Sequence, residues 1–272
     1  MNANVSEITT EKGLVKRISL VSVGSTNDYA INLLRTEHTH KETIVVTKSQ
    51  EKGKGQRGKA WISSPGRDLC MSWILKSPPQ PPAVFNMAAA LGVLDALREI
   101  TGNTDISIKW PNDIIVIHNH VPKKISGLLI ENTWRGDVWA AAIVGIGVNV
   151  GKGSDQKHRP KFKLPATSIF DVISKDILPE SLEIVILNAL QHRVNAISLS
   201  GGIKDTVSEF NSELFGTHSE RVYTINGTPH KGILKKVEED GRGVFSWSNK
   251  KQRNNIQHPE THLHSSEVIW SW

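Results

Sequence analysis

The stretch GKGQRGKA, Gly53–Ala60, combines closely spaced glycines with positively charged side chains. Glycine lets a backbone approach a ligand closely, and Lys54, Arg57 and Lys59 suit a phosphate or a carboxylate. The spacing almost matches two nucleotide-binding motifs, the dinucleotide fingerprint G-x-G-x-x-G and the P-loop G-x-x-x-x-G-K-[ST]. The loop is therefore a candidate anion-binding site.

The flanking sequence excludes both of those motifs. Each needs a helix directly after the loop, because the helix N-terminus supplies amide donors to the phosphate. Here Thr43–Val46 predicts a strand before the loop, and a turn-rich stretch after it leads to a second strand-like run, Leu69–Leu75. Ala60 also lacks the hydroxyl that a P-loop has at this position. The residues alone leave two interpretations, an anion-binding loop of a third kind and a solvated basic turn.

Four further segments carry polar residues that could do chemistry. They are Ser25–Asn27, Lys109–Asp113 (KWPND), Lys124–Gly127 (KISG) and Gly145–Asn149 (GIGVN). Each has a purely structural alternative. Ser25 or Thr26 can cap a helix, Asn112 and Asp113 can form an Asx turn, and Lys124 can be a solvated lysine. Residue types alone do not separate these alternatives.

The composition indicates a globular protein with an anionic partner. The chain has 272 residues and a net charge of +6, which favours nucleic acid, a nucleotide or an acidic protein. No helix-turn-helix pattern or zinc-finger spacing supports nucleic acid. The N-terminus lacks a signal-peptide pattern and no apolar run reaches membrane-spanning length. With one cysteine, Cys70, which we interpret as a core residue, a cytoplasmic location is expected.

Two groups of histidines could suggest a metal site. They are His118 with His120, and His258 with His262 and His264. Neither group is accompanied by the cysteines or the spacing of a zinc motif. We therefore predict solvent-exposed histidines.

The elements that must position these segments follow from hydrophobic periodicity. Strands are predicted at Leu14–Val23, Lys124–Glu131 and Ala140–Val150, and helices at Val84–Ile100 and Leu178–Leu199. After about residue 214 short strands with Asn-Gly and Asp-Gly turns follow one another, which is typical of a small β-barrel. We expect two domains, residues 1–214 and residues 215–272.

Taken in order, the serine-threonine-asparagine, glycine-loop, KWPND, KISG and GIGVN segments resemble the biotin protein ligases. The resemblance covers nearly the whole chain. It implies an α+β fold in which a mixed β-sheet with helices, as in class II synthetases, precedes a small SH3-like β-barrel. The implied reaction joins biotin to a lysine of a biotin carboxyl carrier domain through biotinyl-5′-AMP, with ATP and magnesium as co-substrate and ion.

The resemblance also implies the roles of individual residues. Lys124 and Arg57 are the implied catalytic residues, and Asp113 is a weak candidate for a magnesium ligand. The implied biotin-binding residues are Ser25, Thr26, Asn27, Gln50, Gly53, Lys54, Gly55, Gln56 and Lys124. The implied ATP- or adenylate-binding residues are Arg57, Lys59, Trp61, Lys109, Asn112, Asp113 and Asn149.

The loop departs from a common family form, GRGRRG. Lys54 and Gln56 replace the first two arginines, and only Arg57 is kept. Lysine keeps the charge but loses the planar fork of arginine, and glutamine loses the charge. We therefore expect Arg57, Lys54 and Lys59 to share the phosphate contacts.

Two other functions compete with this interpretation. Lipoate ligases and octanoyltransferases share the fold and also acylate a carrier lysine, but they differ in the loop and lack KWPND. A basic RNA-binding protein would explain the charge but not the ordered segments. With only residues 1–13 before the first predicted strand, the chain resembles the short ligase type without an N-terminal DNA-binding domain. We expect no DNA or membrane partner, and the sequence allows a homodimer.

Overall fold

The computed structural model describes residues 3–36, 42–152, 164–248 and 260–271. The thirteen strands in this part of the chain are β1 Ala3–Thr10, β2 Gly13–Val23, β3 Thr43–Gln50, β4 Leu69–Lys76, β5 Ile106–Lys109, β6 Asp113–His118, β7 Val121–Arg135, β8 Val138–Val148, β9 Arg221–Ile225, β10 Thr228–Val237, β11 Gly243–Trp247, β12 Thr261–Leu263 and β13 Val268–Ser271. The helices are α1 Thr26–Thr36, α2 Pro82–Thr101, α3 Ile169–Ile173, α4 Pro179–Ala196 and α5 Gly202–Ser212.

The first eight strands form one mixed sheet in the order β1-β2-β3-β4-β8-β7-β6-β5. Strands β2 and β3 run parallel, and the other neighbours are antiparallel. The glycine-rich stretch joins β3 to β4 without a following α-helix, as predicted. This sheet with its helices confirms the predicted α+β fold.

Each face of the sheet is covered by different helices. On one face, α2 and α4 pack on alternate strand residues such as Met71 and Trp73. On the other, α1 covers a smaller cluster that includes Ile74 and Ile143. Because strand side chains alternate between faces, Gly145 and Gly147 follow Ile143 on the α1 face. Next to the start of α1, this face of β8 therefore has no side chains of its own at residues 145 and 147.

The last five strands form a second, antiparallel sheet in the order β12-β11-β10-β9-β13. It is consistent with the predicted SH3-like domain. Its aromatic residues extend the main core. The ring of Phe245 packs edge-on against that of Trp110, with 6.0 Å between the ring centres. At the predicted boundary the amide of Phe215 donates to the carbonyl of Ile108 at 2.8 Å. The two predicted domains thus share a core, and the division at residue 214 stays a prediction.

Three elements, β1, α3 and α5, are not predicted by the sequence patterns. Strand β1 pairs with β2 at the edge of the sheet, and most of its residues are exposed, so it has no hydrophobic alternation to reveal it. The short helix α3 and helix α5 are the other two. Helix α4 ends at Ala196, three residues before the predicted end. The chain then turns, and Gly202 packs so closely against the carbonyl of Ala196 that no side chain would fit there.

Candidate active site

A cavity of about 580 Å³ lies on the α1 face of the large sheet. Its lining comes from the start of α1, the end of β3, the glycine loop, β4, the β5–β6 turn, β7, β8, the segment before α3 and β13. The predicted site residues that line it are Ser25, Thr26, Asn27, Gln50, Lys54, Gly55, Gln56, Arg57, Lys59, Trp61, Lys109, Asn112, Asp113, Lys124 and Asn149. The fold therefore brings together segments that are far apart in the sequence.

Gly53 is the predicted site residue that does not line the cavity. Only glycine fits at this position, because a Cβ on residue 53 would lie 2.3 Å from the carbonyl oxygen of Trp61 and 2.5 Å from Nε2 of Gln50. The carbonyl of Gly53 also accepts from the amide of Trp61 at 2.9 Å. Gly53 thus closes the base of the loop, and its role as a direct ligand contact stays a prediction.

The glycine loop is held at two points by charged side chains. Lys54 forms an ion pair with Asp28 on α1 at 2.5 Å, with both side chains partly exposed. Arg57 has a left-handed backbone (φ 58°), and its guanidinium donates to the carbonyl of Val268 on β13 at 3.0 Å. The loop therefore spans from the first helix to the C-terminal sheet and forms one wall of the cavity.

A carboxylate lies between two lysines in the lining of the cavity. Asp113 Oδ2 accepts from Lys109 at 3.0 Å, and Asp113 Oδ1 accepts from Lys124 at 2.5 Å. Burial alone would raise the pKa of Asp113, but Lys124 and Lys109 outweigh this effect and lower it to about 2. Burial lowers the pKa of Lys109, with Asp113 opposing the change. Asp113 is therefore a permanent anion that fixes both ammonium groups.

Lys109 also contacts the C-terminal sheet. Its side chain is buried, and its ammonium lies 5.4 Å from the ring centre of Trp270 on β13. Such a contact stabilises a desolvated cation. Lys109 is thus held between Asp113 on one side and an indole on the other.

Trp61 lies flat on a floor made by two glycines. A Cβ at Gly147 would be 2.2 Å from the indole Cε2, and one at Gly127 would be 3.3 Å from Cζ3. The ammonium of Lys124 lies 5.2 Å from the ring centre of Trp61. The glycines of the KISG and GIGVN segments therefore leave space for Trp61. The indole of Trp61 in turn forms a cation–π contact with Lys124.

The other end of the cavity is polar and uncharged. The amide of Thr26 donates to Oε1 of Gln50 at 3.0 Å, and the hydroxyl of Thr26 contacts the same oxygen at 3.2 Å. Ser25 caps α1, because its Oγ accepts from the amide of Asp28 at 3.4 Å. Both alternatives for Ser25 are thus compatible, since it caps the helix and also lines the cavity.

Two predicted nucleotide contacts make structural hydrogen bonds. Asn112 donates to the carbonyl of Leu128. Asn149 donates to the carbonyl of Thr167 at 2.9 Å and to that of Lys124 at 3.3 Å. Asn149 therefore fixes the backbone of Lys124, and a contact of either asparagine with a nucleotide stays a prediction.

Several residues that line the cavity are not predicted by the sequence. The main omissions are Val268, Ile269 and Trp270, because nothing in the alternating pattern of β13 shows that it returns to the glycine loop. Cys70 also lines the cavity but is 4 % exposed, and burial raises the pKa of its thiol to about 11. This agrees with the prediction that Cys70 is a core residue rather than a nucleophile.

The described residues do not form a ready-made metal site. They contain no group of three or more His, Cys, Asp and Glu side chains that could hold a metal ion. Both oxygens of Asp113 are engaged by lysines, so this carboxylate does not fit a protein-held magnesium ion. Magnesium often binds through substrate phosphates, and the role of Asp113 as its ligand stays a prediction.

The histidines singled out in the sequence differ in exposure. His120, His262 and His264 are exposed and His118 is half-buried, while His258 lies outside the described residues. His262 contacts Glu238 at 2.7 Å. Within the described ranges, no helix has the length and apolar character needed to cross a membrane.

Comparison with known proteins supports the resemblance. A family model described as "Biotin/lipoate A/B protein ligase family" matches residues 20–149, just under half of the chain. The "Bifunctional ligase/repressor BirA" of Bacillus spizizenii is 36% identical over 116 residues, which cover 42% of this chain and 34% of the relative. The "Biotin--[acetyl-CoA-carboxylase] ligase" of Paracoccus denitrificans is 31% identical over 139 residues, 45% of this chain and 55% of the relative. The matches thus span about a third to a half of these relatives.

A solved structure extends the similarity to nearly the whole chain. The "Biotin protein ligase from Aquifex aeolicus in complex with biotin and ATP" superposes with a TM-score of 0.72 at 25% identity, covering 93% of this chain and 97% of that one. The ligase of Leishmania major in complex with biotin, at 21% identity and a TM-score of 0.59, shares the fold. Residues 20–149 therefore resemble the biotin/lipoate A/B protein ligase family, and the chain has the fold of the biotin protein ligases.

Proposed function

We propose that this protein joins biotin to a lysine of a biotin carboxyl carrier domain in two steps that consume ATP. In the first step the biotin carboxylate attacks the α-phosphate of ATP, which releases pyrophosphate and gives biotinyl-5′-adenylate. In the second, the carrier lysine attacks the acyl carbon, releases AMP and forms an amide. The main support is the cavity that joins Lys124 to the glycine loop.

The charges of the cavity suit the first step. Two anions, a carboxylate and a phosphate, must approach each other, and fixed cations lower the cost of that approach. Five cationic side chains and one carboxylate line the described cavity; the cations are Lys54, Arg57, Lys59, Lys109 and Lys124. Lys124 is the best placed of them, because Asp113 and Trp61 both contact its ammonium and fix its position. We assign Lys124 to the carboxylate and α-phosphate, and Arg57 and Lys59 to the phosphates.

The size and lining of the cavity suit the remaining parts of both substrates. Its volume falls within the range of about 300–1,000 Å³ that is common for small-molecule sites. Ser25, Thr26 and Gln50 provide hydrogen-bonding groups for a neutral ureido ring, and Trp61 provides a flat surface for adenine. For the second substrate, the net charge of +6 favours an acidic carrier domain.

Isotope exchange between pyrophosphate and ATP tests the first step. We expect exchange that depends on biotin and is not supported by lipoate or octanoate. Exchange with lipoate in place of biotin would indicate a lipoate ligase of the same fold, and no exchange with either acid would contradict the proposal. Transfer is tested by adding a biotin carboxyl carrier domain and detecting protein-bound biotin with streptavidin.

A further inference from the structure

A row of polar side chains lies behind the uncharged end of the cavity. It runs from Glu131 on β7 through Asn27, Ser72 on β4 and Thr26 to Gln50. Asn27, Thr26 and Gln50 line the described cavity, whereas Ser72 and Glu131 do not. Ser72 is fully buried, so its hydroxyl has no access to water and must find its partners within the protein.

The acceptors around Asn27 fix the orientation of its amide. Asn27 Nδ2 donates to Glu131 Oε2 at 2.7 Å and to the carbonyl of Leu129 at 3.2 Å. A carbonyl or carboxylate oxygen only accepts, so both amide hydrogens are committed. The opposite side of the amide, Oδ1, therefore faces Ser72 and must accept. Gly145 permits this orientation, because a Cβ there would lie 2.3 Å from Asn27 Oδ1.

Ser72 supplies the donor that Asn27 needs and also contacts Thr26. Its hydroxyl lies 2.6 Å from Asn27 Oδ1 and 2.8 Å from Thr26 Oγ1, and its one proton is shared between these two acceptors. Thr26 in turn donates its hydroxyl proton to Gln50 Oε1, which also accepts from the amide of Thr26. Each proton in the row thus has an acceptor within the protein.

This direction of donation determines what a ligand meets. The proton of Thr26 is committed to Gln50, so Thr26 faces the cavity as a hydrogen-bond acceptor. The oxygen of Gln50 is committed to Thr26, so the free side of the Gln50 amide is its Nε2 donor. One acceptor and one donor therefore lie side by side at this end of the cavity.

We propose that Ser72 and Glu131 are positioning residues that hold Thr26 as an acceptor and Gln50 as a donor, and so select ligands whose head group has an N–H beside a C=O. This inference rests on the proposed function, since the ureido ring of biotin is such a group. A dithiolane ring offers neither group, and a cyclic carbonate offers only acceptors. Buried polar groups left without partners would then penalise both alternatives.

Titration calorimetry on Ser72→Ala tests the inference with two ligands, biotin and a biotin analogue in which the ring N–H groups are replaced by oxygen. For the unaltered protein we expect the analogue to bind at least about 100-fold more weakly than biotin. In Ser72→Ala, Asn27 and Thr26 lose their shared donor and can reorient. We expect about tenfold weaker biotin binding and a preference for biotin over the analogue that is reduced by a similar factor. The affinity for ATP should remain within about twofold.

Thr206→Ala is the matched control. Its hydroxyl is also buried and donates to a carbonyl, that of Gly202 on α5 at 2.7 Å, but it does not line the cavity. We expect this variant to change the melting temperature without changing ligand preference. If Ser72→Ala does not fold, Glu131→Ala on the half-buried side of the row provides the same comparison.

The outcomes distinguish the inference from the function on which it rests. If Ser72→Ala weakens biotin and the analogue by the same factor, or behaves like Thr206→Ala, the positioning role is wrong although the protein still binds biotin. If the unaltered protein binds no biotin, the proposed function itself fails. A reduced preference for biotin, with unchanged affinity for ATP, supports the inference.

Discussion

The indole of Trp61 packs directly against Gly147 and fills the space that a side chain on residue 147 would need. A Cβ there would be 2.2 Å from Cε2 of the ring. Residue 147 therefore has to be glycine for Trp61 to lie flat beneath Lys124. Packing against Trp61 thus explains the glycine at residue 147 of the GIGVN segment, without any direct contact with a nucleotide.

Gly147→Ala should displace Trp61 and remove the surface that supports Lys124. We expect the KM for ATP in the exchange reaction to rise about tenfold, equivalent to about 1.4 kcal/mol of binding free energy. Gly24→Ala is the control, since a Cβ there meets nothing within 4 Å. An unchanged KM for ATP in a folded Gly147→Ala protein would show that the position of Trp61 is not important for the nucleotide.

Gly145→Ala should affect the opposite end of the cavity. The two glycines lie two residues apart on β8 and so face the same side of the sheet, but Gly145 makes room for Asn27 rather than for Trp61. We expect biotin affinity, measured by calorimetry without ATP, to fall about tenfold. Equal effects of the two substitutions on biotin and on ATP would contradict this division of the cavity.

Lys124→Ala should abolish adenylate formation and leave the fold intact. Removing a fixed charge that stabilises a transition state costs on the order of 100-fold in rate or more. The measurement is biotin-dependent exchange together with the circular dichroism spectrum. Lys123→Ala, at the neighbouring half-buried position, is the control and should keep its activity. Retained exchange in Lys124→Ala would refute the role given to this lysine.

Arg57→Ala should release the glycine loop from the C-terminal sheet, because it removes the hydrogen bond to the carbonyl of Val268. One hydrogen bond contributes about 1 kcal/mol, so we expect amide exchange in the loop to accelerate roughly fivefold. Hydrogen exchange followed by mass spectrometry measures this directly. Lys48→Ala on the exposed end of β3 should leave loop exchange unchanged. An unchanged rate in Arg57→Ala would show that other contacts hold the loop.

The ion pairs of Asp113 should make stability fall at acidic pH. The pKa of Asp113 in the folded protein, about 2, lies below its ordinary value of 3.8. The folded state therefore favours the ionised form, and the resulting stabilisation is complete above about pH 4 and is lost as the pH falls towards 2. The contribution is about 2 kcal/mol. Urea unfolding between pH 5 and pH 2 measures it, and Asp113→Asn should show a shallower pH dependence. Equal slopes for both proteins would contradict this role of Asp113.

Much of the candidate site can be predicted because its parts are continuous in the sequence. The KWPND and KISG segments each contain a lysine next to residues that force a turn or permit close packing, so Lys109 and Lys124 are identifiable from the sequence alone. The long apolar runs that form α2, β7 and β8 are also evident from their periodicity. Local patterns suffice wherever one segment supplies both the residue and the element that holds it.

The contributions of β13 and of the polar row behind the cavity cannot be predicted in this way. Trp270 reaches Lys109 across 161 positions of sequence, and Ser72 reaches Asn27 across 45. No local signal encodes such pairs. Strand β1 escapes prediction for a different reason, because an exposed edge strand buries too little apolar surface to impose an alternating pattern.

The sequence by itself determined which residue types are available and in what order: a glycine loop with three cations, two lysine-containing segments and glycines at alternate positions of a strand. Only the tertiary structure decided that Asp113 lies between Lys109 and Lys124, that Trp61 lies on Gly147 and that Arg57 reaches Val268. The physical reason is that the local pattern fixes secondary structure through neighbouring residues. The hydrogen-bond partners at a site, and its balance of burial and charge, depend instead on distances between strands, and these are set when the sheets pack.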